Sequence, residues 1–254
     1  MERRYLSNFT PKQLSSIRVV TGDGARWITD CVNEFTPECE RCIDPILVVE
    51  WSVEALDEVR REAWREAHAK AVQAEKAYPR GKGRSKANAP EAQSIAVAKA
   101  KAEQIRKSAF TLGKAPEHLT ENQELKLAMI AKNDKRLYRA YSLKEHLRLL
   151  LKHKDIAEAE AELRRWLWRS SHSRISAFKE LYKKIKRHKN HILNTIRLGM
   201  SNARIEATNN KIKQIIRKAY GFRNIQNMLD MVYLVCSNLR VQLPNRKMKL
   251  VRSA

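Results

Sequence analysis

Helical periodicity extends through nearly the whole chain, and strand-like patterns interrupt it at two places near the start. The β-branched run at 17–21 predicts a strand, and Gly22–Gly24 predicts a tight turn after it. Apolar residues at helical spacing predict a helix over 25–35, and residues 40–43 predict a second strand. Strand–helix–strand crossovers are right-handed and usually join parallel strands. The pattern therefore predicts a mainly α chain with a small β remnant, an α/β unit of two parallel strands.

The rest of the chain predicts helices, because chain breakers are scarce: Gly and Pro each number seven in 254 residues. A basic stretch at 79–90 predicts a flexible linker, and the tail from Pro244 is basic as well. The first predicted helices cover 51–77, the residues from the linker to about 109, and a segment that a Thr120–Gln123 capping box opens. Helices at 142–153 and 155–169 follow, and then a long helix over 175–199 that ends at Gly199. The last two are a helix with Gly221 as its C-cap and a helix over 225–239.

Positive charge is the strongest compositional signal. Lys and Arg number 51 against 28 Asp and Glu, so the formal net charge is +23. Such a charge indicates a polyanionic partner, most simply nucleic acid. No stretch approaches the roughly 18 apolar residues that a membrane span needs, and four cysteines are ordinary for a reducing cytosol. The lone Cys39-x-x-Cys42 pair lacks the further ligands of a tetrahedral metal site.

Two carboxylates follow the two predicted strands. Asp23 and Asp44 each come just after a strand, and parallel strands would bring both to the same sheet edge, where open α/β sheets bind ligands. Paired carboxylates there suit Mg²⁺, which prefers hard oxygen ligands. The alternative is purely local: Asp23 forms a turn and Asp44 starts one ahead of Pro45.

A second constellation lies on a late helix. Glu206, Asn210, Lys213 and Arg217 fall within an arc of roughly 60° at helical spacing. A carboxylate, an amide and two cations in one row suit a metal ligand beside a phosphate backbone. The alternative is a solvated face with spaced charges.

The longest basic run lies within a periodic helix and predicts either a phosphate-contacting face or a solvated one. Its cations are Lys183, Lys184, Lys186 and Arg187. The nearby pair Trp166 and Trp168 straddles one helix, so at most one of the two is plainly core. Stacking on a base is an open alternative for the pair, with packing favoured.

One motif late in the chain is more specific than the rest: Ser201–Lys213, which contains Glu206. Further characteristic segments are 19–28, Asp44-Pro45 with 54–61, 116–199 and 217–224. In these motifs and in their order, the chain resembles the ISL-three family of bacterial insertion-sequence transposases.

This resemblance implies a DDE-type transposase with a ribonuclease-H-like core that a large helical insertion interrupts. It implies that Asp23 and Glu206 are catalytic residues and metal ligands, with Asp44 a lesser candidate, for two Mg²⁺ or Mn²⁺ ions. It places Lys213, Arg217, Asn210 and Arg204 beside DNA. The expected segments are a partial core at 15–60, the insertion at 61–199, core-completing helices at 200–240 and a basic tail at 241–254.

Two departures from the family are expected to matter. The family's first catalytic Asp lies on an earlier strand, so the chain resembles the C-terminal part of a transposase. Ile46-Leu47 stand where the family shows Phe-His. Two strands between helices also leave an unpaired sheet edge, through which copies could associate.

The expected function is metal-dependent cleavage and strand transfer of double-stranded DNA, at transposon ends and target, in the bacterial cytoplasm near the nucleoid. The alternatives are a catalytically inactive, basic DNA-binding remnant and, ranked lower, a helical RNA-binding protein.

Overall fold

A computed structural model describes residues 9–77 and 90–237, apart from the side chains of Pro90, Glu91 and Arg204. Nearly all of the predicted basic linker and the whole predicted basic tail lie outside these residues. The chain divides into two compact units, Met1–Ser201 and Asn202–Ala254. We refer to them as unit 1 and unit 2.

The described residues are mostly helical, with one two-stranded sheet, as the periodicity predicts. Unit 1 contains α1 (Pro11–Ser16), β1 (Val19–Gly22), α2 (Arg26–Phe35), β2 (Glu40–Ile43), α3 (Pro45–Ala77), α4 (Pro90–Arg106), α5 (Ala109–Gly113), a 3-10 turn (Pro116–His118), α6 (Glu121–Asn133), α7 (Lys135–Leu150), α8 (Ile156–Ser171), α9 (Ser176–Arg187) and α10 (Lys189–Leu198). Unit 2 contains α11 (Ala203–Lys218) and α12 (Ile225–Cys236). No helix among the described residues is long and apolar enough to cross a membrane.

The sheet is parallel, which confirms the predicted strand–helix–strand unit. Val19 pairs with Glu40 at one end of the register, and Gly22 pairs with Ile43 at the other. Asp23 and Asp44 directly follow the last paired residues, so both begin at the same edge of the sheet.

Helix α3 provides one side of the core of unit 1. It begins at Pro45, six residues before the predicted start, because Pro favours the first helical position and the Asp44 carboxylate accepts the Ile46 N–H at 3.1 Å. Its buried face contains Val48, Leu56 and Val59 and packs against α4, α7 and α9.

The tryptophan pair on α8 divides between core and surface. Trp166 is fully buried, and its Nε1 donates a 2.8 Å hydrogen bond to the Leu143 carbonyl oxygen on α7. Trp168 is 63% exposed. The prediction that at most one of the two belongs to the core is therefore confirmed.

The predicted continuous helix over 175–199 is two helices, which is a correction. His188 separates α9 from α10, and its N–H lies within hydrogen-bond distance of the carbonyl oxygens of both Lys184 and Ile185. The interruption is one residue long and the apolar repeat continues from Ile185 to Ile192, so periodicity does not reveal it. The predicted end at Gly199 is confirmed, with φ +61°.

The C-cap of α11 is Ala219, two residues before the predicted C-cap at Gly221. Helix α11 ends at Lys218, and Tyr220 takes the first left-handed position, with φ +53°. The Gly221 N–H donates to the Ile216 carbonyl oxygen at 3.0 Å, and the Tyr220 N–H donates to that of Arg217 at 3.2 Å. These two bonds form a Schellman-type end, in which a non-glycine residue adopts the conformation usually left to Gly.

Candidate functional site

The exposed carboxylate at the sheet edge belongs to Asp23. Its Oδ1 accepts a 3.0 Å hydrogen bond from the Ala25 N–H, so the side chain also forms the local turn of the alternative interpretation. The turn places Asp23 directly after the last residue of β1. An exposed carboxylate on such a turn is accessible to a cation from solution.

Asp44 differs from Asp23 in its surroundings. The residue is only 3% exposed, and its Oδ1 caps α3 through the Ile46 N–H. Its own N–H donates to the Gly22 carbonyl oxygen at 3.3 Å. These contacts give Asp44 a structural role at the point where β2 passes into α3.

Arg41 on β2 makes hydrogen bonds at the ends of both strands. Sequence analysis did not predict a role for it. Its Nη2 donates to the Asp23 carbonyl oxygen at 2.5 Å, and its Nη1 donates to that of Cys42 at 2.7 Å. Burial lowers the pKa of the guanidinium, and the charge of Asp23 acts in the opposite direction. The signal that could have found it is a cation inside a short apolar strand.

The turn after β1 packs against a buried indole. A Cβ at Gly24 would lie 2.7 Å from Cη2 of Trp51 and 3.5 Å from Nε2 of His188. Glycine is therefore required at position 24 for the turn to approach this ring. Trp51 and His188 lie with ring centroids 5.8 Å apart, so α3 and the α9–α10 junction both line the turn.

Two histidines at the α9–α10 junction, His188 buried and His191 half-buried, form a polar pair. The Nδ1 atoms of His188 and His191 are 3.3 Å apart. Burial first, and then the charges of the neighbouring His191 and Arg187, lower the pKa of His188 to about 4. Burial, followed by the charge of Arg41, lowers the pKa of His191. Both rings therefore favour the neutral state.

The basic run is divided by its contacts. Lys184 is half-buried, and its Nζ lies 3.6 Å from the centre of a ring of Trp51. Burial lowers the pKa of Lys184. Lys183 is exposed and pairs with Glu180 at 2.7 Å, and Lys186 and Arg187 are exposed as well. Three of the four cations are therefore exposed, and Lys184 contacts Trp51, the residue that also packs against the turn after β1.

In unit 2, the polar and charged residues that the sequence predicts on one helix face lie on α11, and all of them are exposed. These residues are Glu206, Asn210, Lys213 and Arg217. Glu206 stands in the first turn of the helix, and its N–H donates to the Asn202 carbonyl oxygen at 2.9 Å. The predicted contact residue Arg204 has its side chain outside the described part of the structure.

The donor chemistry fits a hard divalent cation. Asp23 and Glu206 both present exposed carboxylates, and Mg²⁺ and Mn²⁺ prefer carboxylate oxygens. Within the described ranges, no three His, Cys, Asp or Glu side chains gather into a metal-binding group. Because Asp23 and Glu206 belong to different units, the shared metal site stays a prediction.

Comparison with known proteins identifies the family. Residues 2–232 match the ISL3 family, whose description is Transposase. Two curated relatives, each the transposase for insertion sequence element IS1557, come from Mycobacterium tuberculosis strains CDC 1551 / Oshkosh and ATCC 25618 / H37Rv. Each is 40% identical over 236 residues, which is 92% of this chain and 51% of the relative.

The chain therefore belongs to the ISL3 family of transposases, as the motifs around Asp23 and Glu206 predict. It spans about half the length of the curated relatives that it matches. No solved structure matches the chain.

Proposed function

We propose that this chain acts in DNA transposition of an insertion sequence, by metal-dependent cleavage and strand transfer of transposon-end DNA. The observation that carries the proposal is the exposed Asp23 carboxylate at the carboxyl end of β1, in a chain of the ISL3 family. The parallel strands with α2 and α3 would then form part of a ribonuclease-H-like core.

Asp23 and Glu206 are the proposed metal ligands. Bound Mg²⁺ or Mn²⁺, two ions in the complete site, would activate water or a DNA 3′-hydroxyl and stabilise charge on the phosphate. Asp44 is a weaker candidate because its carboxylate is buried and caps α3. The Arg41 guanidinium, bonded to the Asp23 carbonyl oxygen, holds the carboxylate-bearing turn against β2.

The cations of α9 and α11 are the proposed DNA contacts. Exposed Lys183, Lys186 and Arg187 on α9, and exposed Lys213 and Arg217 on α11, would contact phosphates. The net charge of +23 would favour rapid, salt-sensitive association with any duplex. Asn210 and Arg204 are also proposed to contact DNA, and the support for them is the family motif at Ser201–Lys213.

Nicking of supercoiled plasmid with Mg²⁺ or Mn²⁺ tests the proposal. Asp23→Asn and Glu206→Gln should abolish metal-dependent nicking, because each removes a charged ligand without changing side-chain size. Asp30→Asn on α2 and Asp230→Asn on α12 are matched controls, since both replace exposed carboxylates outside the proposed site. The controls should nick at the wild-type rate.

A second measurement separates metal binding from catalysis. Electron paramagnetic resonance of Mn²⁺ counts ions bound to the wild type and to Asp23→Asn. Loss of a bound ion in the variant supports Asp23 as a ligand, whether or not nicking is detected. Plasmid binding without nicking, with equal Mn²⁺ binding in every variant, would instead show a basic DNA-binding protein without this catalysis.

A further inference from the structure

An exposed aromatic pair, Trp168 and His172, lies at the C-terminal end of α8. The rings of Trp168 and His172 stack with centroids 4.7 Å apart and planes 25° from parallel. The indole is 63% exposed, whereas Trp166, two residues earlier, is fully buried. A stacked tryptophan with an open face is therefore held at the surface of unit 1.

Local hydrogen bonds hold the imidazole of this pair. The Nδ1 of His172 and the Oγ of Ser171 each lie 2.9 Å from the Trp168 carbonyl oxygen, and they are 3.0 Å from each other. The imidazole covers one face of the indole at this spacing. Because the indole already stacks on a hydrogen-bonded imidazole, a ligand that stacks on its other face orders little additional side chain.

Arginines flank the exposed ring. Arg164 and Arg165 lie one turn before Trp168 on the same face, Arg169 follows it, and Arg174 comes just after the helix with φ +60°. All four are exposed. Glu162 pairs with Arg165 and contacts His146, and Glu160 feels the charge of Arg164. Arg169 Nη1 lies 3.2 Å from His146 Nδ1, so four guanidinium charges on this stretch outnumber two carboxylates. We define the Trp168 surface as Trp168, His172, Arg164, Arg165, Arg169 and Arg174.

We propose that the Trp168 surface binds an unpaired DNA base, with the indole stacked on the base and the arginines on the flanking phosphates. This rests on the proposed function, which supplies DNA as the partner. An aromatic ring stacks on the face of a base, and in a duplex the neighbouring bases already cover that face. Guanidinium groups match phosphate geometry and are weakly hydrated. The surface therefore favours DNA that has lost pairing locally.

Binding to three DNAs of one sequence tests this proposal: a blunt duplex, the same duplex with one unpaired 2-aminopurine, and the single strand. Trp168→Ala should weaken binding to the unpaired-base duplex and the single strand by about tenfold, which is 1.4 kcal/mol. It should leave binding to the blunt duplex unchanged and remove the quenching of 2-aminopurine. Trp168→Phe, which keeps an aromatic face, should retain most of the affinity for DNA with an unpaired base and most of the quenching of 2-aminopurine.

Phe110→Ala is the matched control. Phe110 is an exposed aromatic on α5, 82% accessible, and it lines an apolar pocket together with Val53 and Leu56. Its truncation should change none of the three affinities. Thermal denaturation should show Trp168→Ala folded like the wild type, because the replaced side chain lies at the surface.

Each other outcome contradicts a defined part of the proposal. Equal binding of wild type and Trp168→Ala to all three DNAs would overturn it, and an equal loss on all three would show a general phosphate-binding surface. Tighter binding of the RNA strand than of the DNA strand would overturn DNA as the partner. Failure of the wild type to bind even the blunt duplex would instead remove the proposed function itself.

Discussion

The Lys184 ammonium lies 3.6 Å from the centre of a ring of Trp51, the indole against which the Gly24 backbone packs. One side chain of α3 therefore joins the basic helix α9 to the turn that bears Asp23. Trp51 is buried and Lys184 is half-buried, so the cation–π contact is partly shielded from water and stronger than a fully exposed one. The carboxylate turn and the basic helix are held in a defined arrangement within unit 1.

Gly24→Ala should destabilise the protein by roughly 1–3 kcal/mol, because the new methyl would lie 2.7 Å from the Trp51 ring. Urea denaturation measures the loss. Gly113→Ala is the matched control, since a Cβ there has no atom within 4 Å, and it should be neutral or slightly stabilising. Equal stability of the two variants would show that the turn does not depend on this close approach.

Acid should destabilise the fold through His188. Its pKa falls from 6.5 to about 4 on folding, so the unfolded chain binds the proton more tightly. The shift at His188 contributes about 3 kcal/mol to the free energy of unfolding. This contribution is fully present above pH 6.5 and is lost as the pH falls toward 4. Burial is the main cause of the lowered pKa, and the charged groups that add to it are His191 on α10, Arg187 and Lys184 on α9 and Arg41 on β2.

Urea denaturation of His188→Gln between pH 4 and 7 checks this pH dependence. The variant should lose the His188 share of the pH dependence in that window, whatever its absolute stability, and His191, whose pKa burial also lowers, supplies a further share. His172→Gln, at an exposed position, should keep the wild-type dependence. An unchanged slope in His188→Gln would assign the acid sensitivity to other groups.

Thr195→Val should cost about 1–3 kcal/mol of stability, because it leaves a backbone N–H of β2 unpaired in the interior. The Thr195 Oγ1 accepts the Ile43 N–H at 3.0 Å and lies 2.7 Å from the Ile43 carbonyl oxygen, toward which it donates. Thr195→Ser keeps the hydroxyl and should retain most of the stability. Thermal or urea unfolding compares the two, and an equal loss in both would point to the methyl group instead.

Removing charge from α9 should change the salt dependence of duplex binding. Lys183→Ala with Arg187→Ala should reduce the slope of log K against log salt by up to roughly 1.8, at about 0.9 per phosphate contact. Titrations at several salt concentrations measure this slope. Lys126→Ala with Lys132→Ala removes the same charge from exposed positions on α6 and should leave the slope unchanged. Equal slopes in both double variants would assign the effect to net charge alone.

Sequence reasoning identified features that depend on local chemistry. The strand at 40–43, the parallel pairing and the helix end at Gly199 all follow from period, turn residues and crossover geometry. Thr120 and Gln123 illustrate the same point, since the Thr120 N–H donates to the Gln123 Oε1 at 3.2 Å as the predicted capping box requires. Motif resemblance supplied the family, which the comparisons confirm.

The sequence by itself determined the mainly helical chain, the two parallel strands and the carboxylates that follow them. Only the tertiary structure decided that Trp51 and His188 lie against the turn at Gly24, with Lys184 over the Trp51 ring. It also decided that Trp166 is buried while Trp168 is exposed. The physical reason is sequence separation. Periods and turns depend on neighbours a few residues apart, whereas burial and pKa shifts arise when distant helices pack together.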